Sequence, residues 1–223
     1  MKPIMYTVVL ALFSTELIQA QEYTYLPDLK DQLLYGPISL QADSLTQPPK
    51  RKLLPDNMSF MEKGLWGENG ILRTTGIASP LTPESRKSEL ALRRTMLTAH
   101  QIGGFVTLAS MITTVYFGQK VIDGNYGYFR NHLMFVKTTI ISYSATGLLA
   151  VLSPPPLIRR GEVSTTTIHK TLAWVHFAGM VLTPILGKSI GRHSTSSEIA
   201  RFHQASAYIT TAAFAASLIV ITF

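Results

Sequence analysis

The sequence contains no cysteine. A disulfide framework, a thiolate zinc site, an iron–sulfur cluster, a cysteine nucleophile and covalent c-type haem attachment are therefore excluded. Charge is also scarce, at 15% of residues against 46% hydrophobic ones. No nucleophile–base arrangement and no glycine-rich phosphate loop is present. The net charge of +7 does not argue for nucleic acid, because the cations gather at the ends of apolar segments and in short loops. Positive charge in those places orients membrane spans.

What the chain does have is long apolar blocks, which mark a membrane protein rather than a large soluble core. Residues 1–20 read as a secretory signal peptide. Lys2 is the positive end, Ile4 to Phe13 the short apolar stretch, and Ile18-Gln19-Ala20 a small-residue cleavage site. The other reading of this stretch is an uncleaved N-terminal anchor. Cleavage puts the following segment outside the cytoplasm, and with the short loops it suggests a bacterial inner membrane with that segment in the periplasm. Residues 21–82 are polar, proline-containing and without sustained periodicity, with Gly64, Gly67 and Gly70 around Trp66. They read either as a loop-rich extramembrane collar, with Trp66 an interfacial anchor, or as a disordered linker. Asn57-Met58-Ser59 fits the glycosylation sequon, a short pattern that matters only in a eukaryote.

Thr82-Pro83-Glu84 is a helix start, with a capping hydroxyl, a proline in the first turn and an early acid. The apolar blocks that follow are Thr95 to Gly118, His132 to Ser153, Thr166 to Gly187 and Phe202 to Phe223. Each has about 20 residues, enough to cross a hydrocarbon core of roughly 30 Å. Asp123-Gly124-Asn125 breaks the first connection, Pro154-Pro155-Pro156 the second, and 187–197 forms the third. The fold class expected is an all-α membrane protein, with residues 83–223 an up-down four-helix transmembrane bundle. With the N-terminal side outside, the inner loops carry Lys120, Arg130, Lys188, Arg192 and Arg201, and the outer loop Arg159 and Arg160. Arg86, Lys87, Arg93 and Arg94 then fall outside, against the positive-inside rule.

Four histidines lie near the ends of these blocks. His100 precedes Lys120 by twenty residues and His169 precedes Lys188 by nineteen, so the two sit at nearly equal depth on spans running the same way. His132 follows Arg130 by two residues and His203 follows Arg201 by two, so these match as well. An intramembrane imidazole is costly and needs a partner. Pairs of His100 with His169 and of His132 with His203 would make two bis-imidazole sites, about fourteen residues or roughly 20 Å apart. Such a stack fits two haems, with the histidines as axial ligands of iron. Helical spacing from His100 places Gly103, Gly104, Thr107 and Met111 on its face, and from His203 places Ser206, Ala207 and Thr210. Small residues permit close approach of a macrocycle or of another helix.

His176 lies seven residues beyond His169 on the same face and is the alternate ligand; Pro184 could kink that helix and shift the depths. His193 falls in a polar loop. Arg130, Lys137 and Arg201 on the inner side, and Arg93, Arg94 and Lys170 on the outer, are candidates for haem propionates, with snorkelling to lipid headgroups the other reading. Met111 and Met180 face the interior as possible axial ligands or as core packing.

This arrangement resembles the cytochrome b561 family and related di-haem membrane cytochromes, in which a four-helix core carries one histidine per helix with first–third and second–fourth pairing. The successive spacings His100 to His132, His132 to His169 and His169 to His203 are 32, 37 and 34 residues. Ile168-His169-Lys170-Thr171-Leu172-Ala173-Trp174 is similar to the family's histidine-then-tryptophan pattern. The resemblance covers residues 95–223. It departs from the family in having no two additional flanking helices after signal cleavage, in the extra His176, and in lacking a substrate-site motif, so ascorbate or ferric-ion chemistry is not carried over. It implies an integral-membrane b-type cytochrome with two haems b, passing single electrons between a donor and an acceptor such as a quinol or a periplasmic redox protein. Two other readings stand beside it: a haem-poor anchor subunit of a respiratory complex, and a transition-metal transporter built on the histidines and methionines.

Overall fold

A computed structural model describes residues 52–157, 164–190 and 197–223. The signal segment, the first half of the collar (residues 21–51), and the loops holding Arg159, Arg160, Arg192 and His193 lie outside the described residues. All regular structure among the described residues is helical. Two short helices come first, α1 (Phe60–Trp66) and α2 (Ile71–Thr74). Four long ones follow: α3 (Pro83–Ile122), α4 (Phe129–Val151), α5 (Thr165–Ile190) and α6 (Glu198–Thr222).

Local chemistry sets the helix ends. The Thr82 hydroxyl accepts from the Ser85 N–H at 3.1 Å and the Ser85 hydroxyl accepts from the Thr82 N–H at 2.9 Å, with Pro83 in the first turn where no N–H is needed. α3 stops at Asp123, and Gly124 takes φ +89°, a conformation that favours glycine, to turn the chain. One 3₁₀ turn at Tyr126–Tyr128 then leads directly into α4. Pro154 to Pro156 stand just beyond the end of α4 and cannot continue it. Pro184 lies inside α5, which stays helical through it to Ile190.

Three helical segments are long and apolar enough to cross a membrane: Pro83–Ile122, Tyr126–Val151 and Glu198–Thr222. α5 has the length, with Lys170 near its start and Lys188 near its end, but is not one of these three. The side-chain distribution agrees with a lipid surround. Ile102, Val106, Ile112, Ile141, Leu148, Val181, Ile185, Ile209 and Ile219 face outward, while Thr107, Ser110, Thr139, Thr146, Thr210 and Ser217 are buried. A protein in water would reverse that order; in a bilayer small polar residues join helices and apolar ones meet the lipid tails.

α3 and α4 pack antiparallel, tied by Ser110 to Thr139 at 2.8 Å and Thr114 to Thr139 at 3.0 Å. α5 and α6 do the same through Thr183 and Ser206 at 2.7 Å. The pairs meet through Leu218 against Gly104, and through Gln119, which accepts from both Gln204 and Tyr208 at 2.6 Å.

The described residues before α3, 52–82, are held against α3 and the turn after α4. Arg86, 2% exposed, donates to the carbonyls of Leu53 and Pro155 and pairs with Glu89. Arg73 reaches the same carboxylate at 2.7 Å. Arg93 donates to the Pro154 carbonyl at 2.6 Å and to the Ser153 hydroxyl. Trp66, expected as a lipid anchor, is instead 6% exposed and donates its indole N–H to the Leu152 carbonyl at 3.0 Å. It thus satisfies one of the last carbonyls of α4, which have no partner inside their own helix. The cationic cluster that broke the positive-inside pattern is partly explained here, since Arg86 and Arg93 are spent on internal partners.

Candidate metal centres

The long helices bring the four histidines together in two pairs. The rings of His100 (α3) and His169 (α5) lie 6.1 Å apart, centroid to centroid, with planes 87° to one another. Those of His132 (α4) and His203 (α6) lie 6.3 Å apart at 88°. Each ring is held by a backbone carbonyl of the adjacent helix in its own hairpin. His100 Nδ1 meets the Thr146 carbonyl at 2.8 Å, and His132 Nδ1 the Thr114 carbonyl at 3.0 Å. His169 Nδ1 meets the Ser217 carbonyl at 3.0 Å, and His203 Nδ1 the Thr183 carbonyl at 2.9 Å. A carbonyl only accepts, so Nδ1 carries the hydrogen in all four and Nε2 keeps its lone pair. That is the tautomer a metal needs, and an N–H to carbonyl bond on the far side of the ring is how ligating imidazoles are usually oriented.

Glycines make room for the lower pair. A Cβ on Gly118 would lie 3.1 Å from the His132 ring, and one on Gly187 would lie 2.9 Å from the His203 ring. The matching contacts follow from a repeat. His100 and His169, Thr114 and Thr183, and Gly118 and Gly187 are each 69 residues apart. His132 and His203, Thr139 and Thr210, and Thr146 and Ser217 are each 71 apart. The α3–α4 and α5–α6 hairpins are therefore two versions of one unit, related by a pseudo-twofold that exchanges the members of each histidine pair. This spacing was in the sequence, and it is the signal that would have found Gly118, Gly187 and the four carbonyls; counting from flanking charges found only the histidines.

The repeat also separates His176 from the rest. Its counterpart in the first hairpin is Thr107. His176 Nδ1 bonds the Tyr143 hydroxyl at 2.9 Å, and its ring packs against Tyr143 and Phe214. Met111 is buried and Met180 partly so. Arg130, Lys137 and Arg201 are exposed on the side of His132 and His203, with Arg201 3.7 Å from Glu198. Lys170 is exposed near the other pair, where Arg93 is engaged by the Pro154 turn.

The donor set restricts what the pairs can hold. Among the described residues no group of three or more His, Cys, Asp or Glu side chains converges on a metal position. A bare transition ion needs three or four protein ligands. A macrocycle brings four equatorial donors and asks the protein only for axial ones. Two metal–imidazole bonds of about 2 Å, each extended by the roughly 1 Å from Nε2 to the ring centre, span about 6 Å between centroids. The two observed separations are close to that span, as bis-imidazole ligation of a macrocycle-bound metal would require.

Comparison of the chain with family models, with curated proteins and with solved structures finds no match.

Proposed function

We propose that this protein is a di-haem b-type membrane cytochrome of the cytochrome b561 type, carrying single electrons across the bilayer. The observation that carries the reading is the duplicated imidazole pair: two levels, each with two rings about 6 Å apart, each ring presenting Nε2 while Nδ1 is tied to a carbonyl. In this reading α5 is the fourth span, and α3 to α6 form an up-down bundle with the collar and the Pro154 turn on the outer side. The N-terminal segment follows a cleaved signal peptide, and the membrane is a bacterial inner membrane.

His100 and His169 hold one haem, His132 and His203 the other. Haem iron cycles between ferric and ferrous states, which is all the chemistry the sites require. The protein supplies ring orientation through the Thr146, Thr114, Ser217 and Thr183 carbonyls, and a low-dielectric surround that tunes the potentials. Arg130, Lys137 and Arg201, exposed on the side of His132 and His203, are the candidates for the inner propionates. A quinol or a periplasmic redox protein is the class of partner that delivers or accepts one electron at a time. A metal transporter is disfavoured, since its ligands would converge at one mid-membrane point rather than divide into two levels of two.

Visible spectroscopy of the purified protein, produced with ample haem, tests this. The reduced-minus-oxidised difference should show a b-type change, and pyridine haemochrome analysis should give two haems per chain. His100→Ala or His169→Ala should remove one haem, His132→Ala or His203→Ala the other. No b-type change, or a single haem in the intact chain, overturns the two-site reading.

A further inference from the structure

Tyr143 and His176 break the hairpin repeat at mid-height. Tyr143 has Phe214 as its counterpart, and His176 has Thr107. The second version of the unit thus gained a base, and the first a phenol, where the others carry no titratable group. His176 lies seven residues after His169, about 10 Å along the helix, and eleven before Gly187, which faces the His203 ring, about 16 Å away, so it stands nearer the outer pair. It is 8% exposed. Its ring stands edge-on to Tyr143 at 5.6 Å and to Phe214 at 4.9 Å. The titratable groups that face it are Tyr143 from α4, His100 from α3 and His169 from its own helix, the two imidazoles acting electrostatically; from α6 it meets Phe214, which does not titrate.

An imidazole at this depth is expensive, and the other hairpin fills the same position with a threonine hydroxyl. Packing therefore does not require a base here. An electron placed on a metal in a low-dielectric interior raises the affinity of any nearby base for a proton, because the new positive charge is attracted to it. His176 stands nearer the level of His100 and His169 than that of His203, so the electron it would sense is the one arriving between the first two rings.

We propose, on the basis of the di-haem reading, that His176 takes up one proton when the iron between His100 and His169 is reduced. In the oxidised state the Tyr143 O–H donates to Nδ1 of His176, and Nε2 carries the ring hydrogen. One electron from the reductant, a quinol or a reduced redox protein, converts ferric to ferrous iron. One proton from the aqueous phase forms an N–H bond at Nδ1, which then donates to the Tyr143 oxygen. The hydroxyl turns from donor to acceptor and no bond in the tyrosine breaks. Reoxidation returns the electron to the acceptor and the proton to water. Transfer through this haem is in this way coupled to a proton, while among the described residues no comparable buried base lies beside the His132–His203 pair.

The test is spectroelectrochemical titration of the full chain with both haems, from about pH 5 to 9, the range in which imidazoles change charge. The His203→Ala variant, which keeps only the outer haem, assigns the two potentials. The outer haem's potential should fall as pH rises, because acid favours the proton-binding reduced form. Its limiting slope is about 59 mV per tenfold change in proton activity for one electron. His176→Gln and His176→Phe should flatten that slope and leave the inner haem's profile as it was. Tyr143→Phe should keep a slope but move the pH range over which it runs. Three results overturn the inference: a pH-independent outer potential in the unaltered protein, an unchanged slope in the His176 variants, or loss of the outer haem in both of them, which would make His176 a ligand. Absence of haem from the unaltered protein, seen in the spectrum before any titration, would instead overturn the function from which the inference starts.

Discussion

At the scale of single residues the histidine pairs are an exercise in indirect placement. Their levels were legible because Lys120 and Lys188, and Arg130 and Arg201, act as depth marks on parallel helices. What holds each ring was legible only through the 69- and 71-residue repeat, since every residue has a carbonyl and flanking charges do not say which one will face an imidazole. The glycines beside the inner pair have a sharper consequence. At Gly187 even a Cβ would crowd the His203 ring at 2.9 Å, and at Gly118 it would stand 3.1 Å from that of His132. A branched side chain at either place must push the ring away from its partner. Gly187→Val and Gly118→Val should each cut the haem content to about half, removing the inner haem while the outer one remains, with helicity by circular dichroism nearly unchanged. Retention of both haems in Gly187→Val would show that the ring is not held where metal ligation needs it.

At the scale of elements, helix starts were easier to read than tertiary partners. Thr82-Pro83 announces α3 because capping is local chemistry, and the helix indeed begins at Pro83. Trp66 was misjudged because an indole near a membrane boundary has the same signature whether its N–H meets a lipid headgroup or, as here, the end of α4. The network that fastens the collar to α3 and α4 centres on Glu89, whose carboxylate faces both Arg73 and Arg86 with all three side chains nearly inaccessible. Removing one partner of such a buried set strands the remaining charge. Glu89→Ala should therefore destabilise the folded protein by about 3–5 kcal/mol. Trp66→Phe keeps the ring but leaves the Leu152 carbonyl unpaired, and should cost about 1–3 kcal/mol. Denaturant titration in detergent, followed by far-ultraviolet circular dichroism, measures both. A Glu89→Ala protein as stable as the parent would mean that the cluster is screened by water.

For the whole molecule, the long apolar blocks were readable as membrane character, whereas the pseudo-twofold, written in the 69- and 71-residue spacings, gains its meaning when contacts are compared between hairpins. Every histidine–carbonyl bond closes within a hairpin, and both histidine pairs span from one hairpin to the other. The hairpins can thus form as units, and a bound macrocycle would tie them together. A ligand that binds only the assembled state stabilises it in proportion to the logarithm of its excess, by about 4 kcal/mol at a thousandfold excess over Kd. Protein produced under haem limitation should accordingly keep nearly full helicity yet unfold at a distinctly lower temperature than haem-replete protein. In the double variant His100→Ala/His203→Ala, which has lost one ligand from each pair, haem supply should leave the unfolding temperature unchanged. A haem-dependent shift that persisted in that variant would mean that the macrocycle binds somewhere other than between the paired imidazoles.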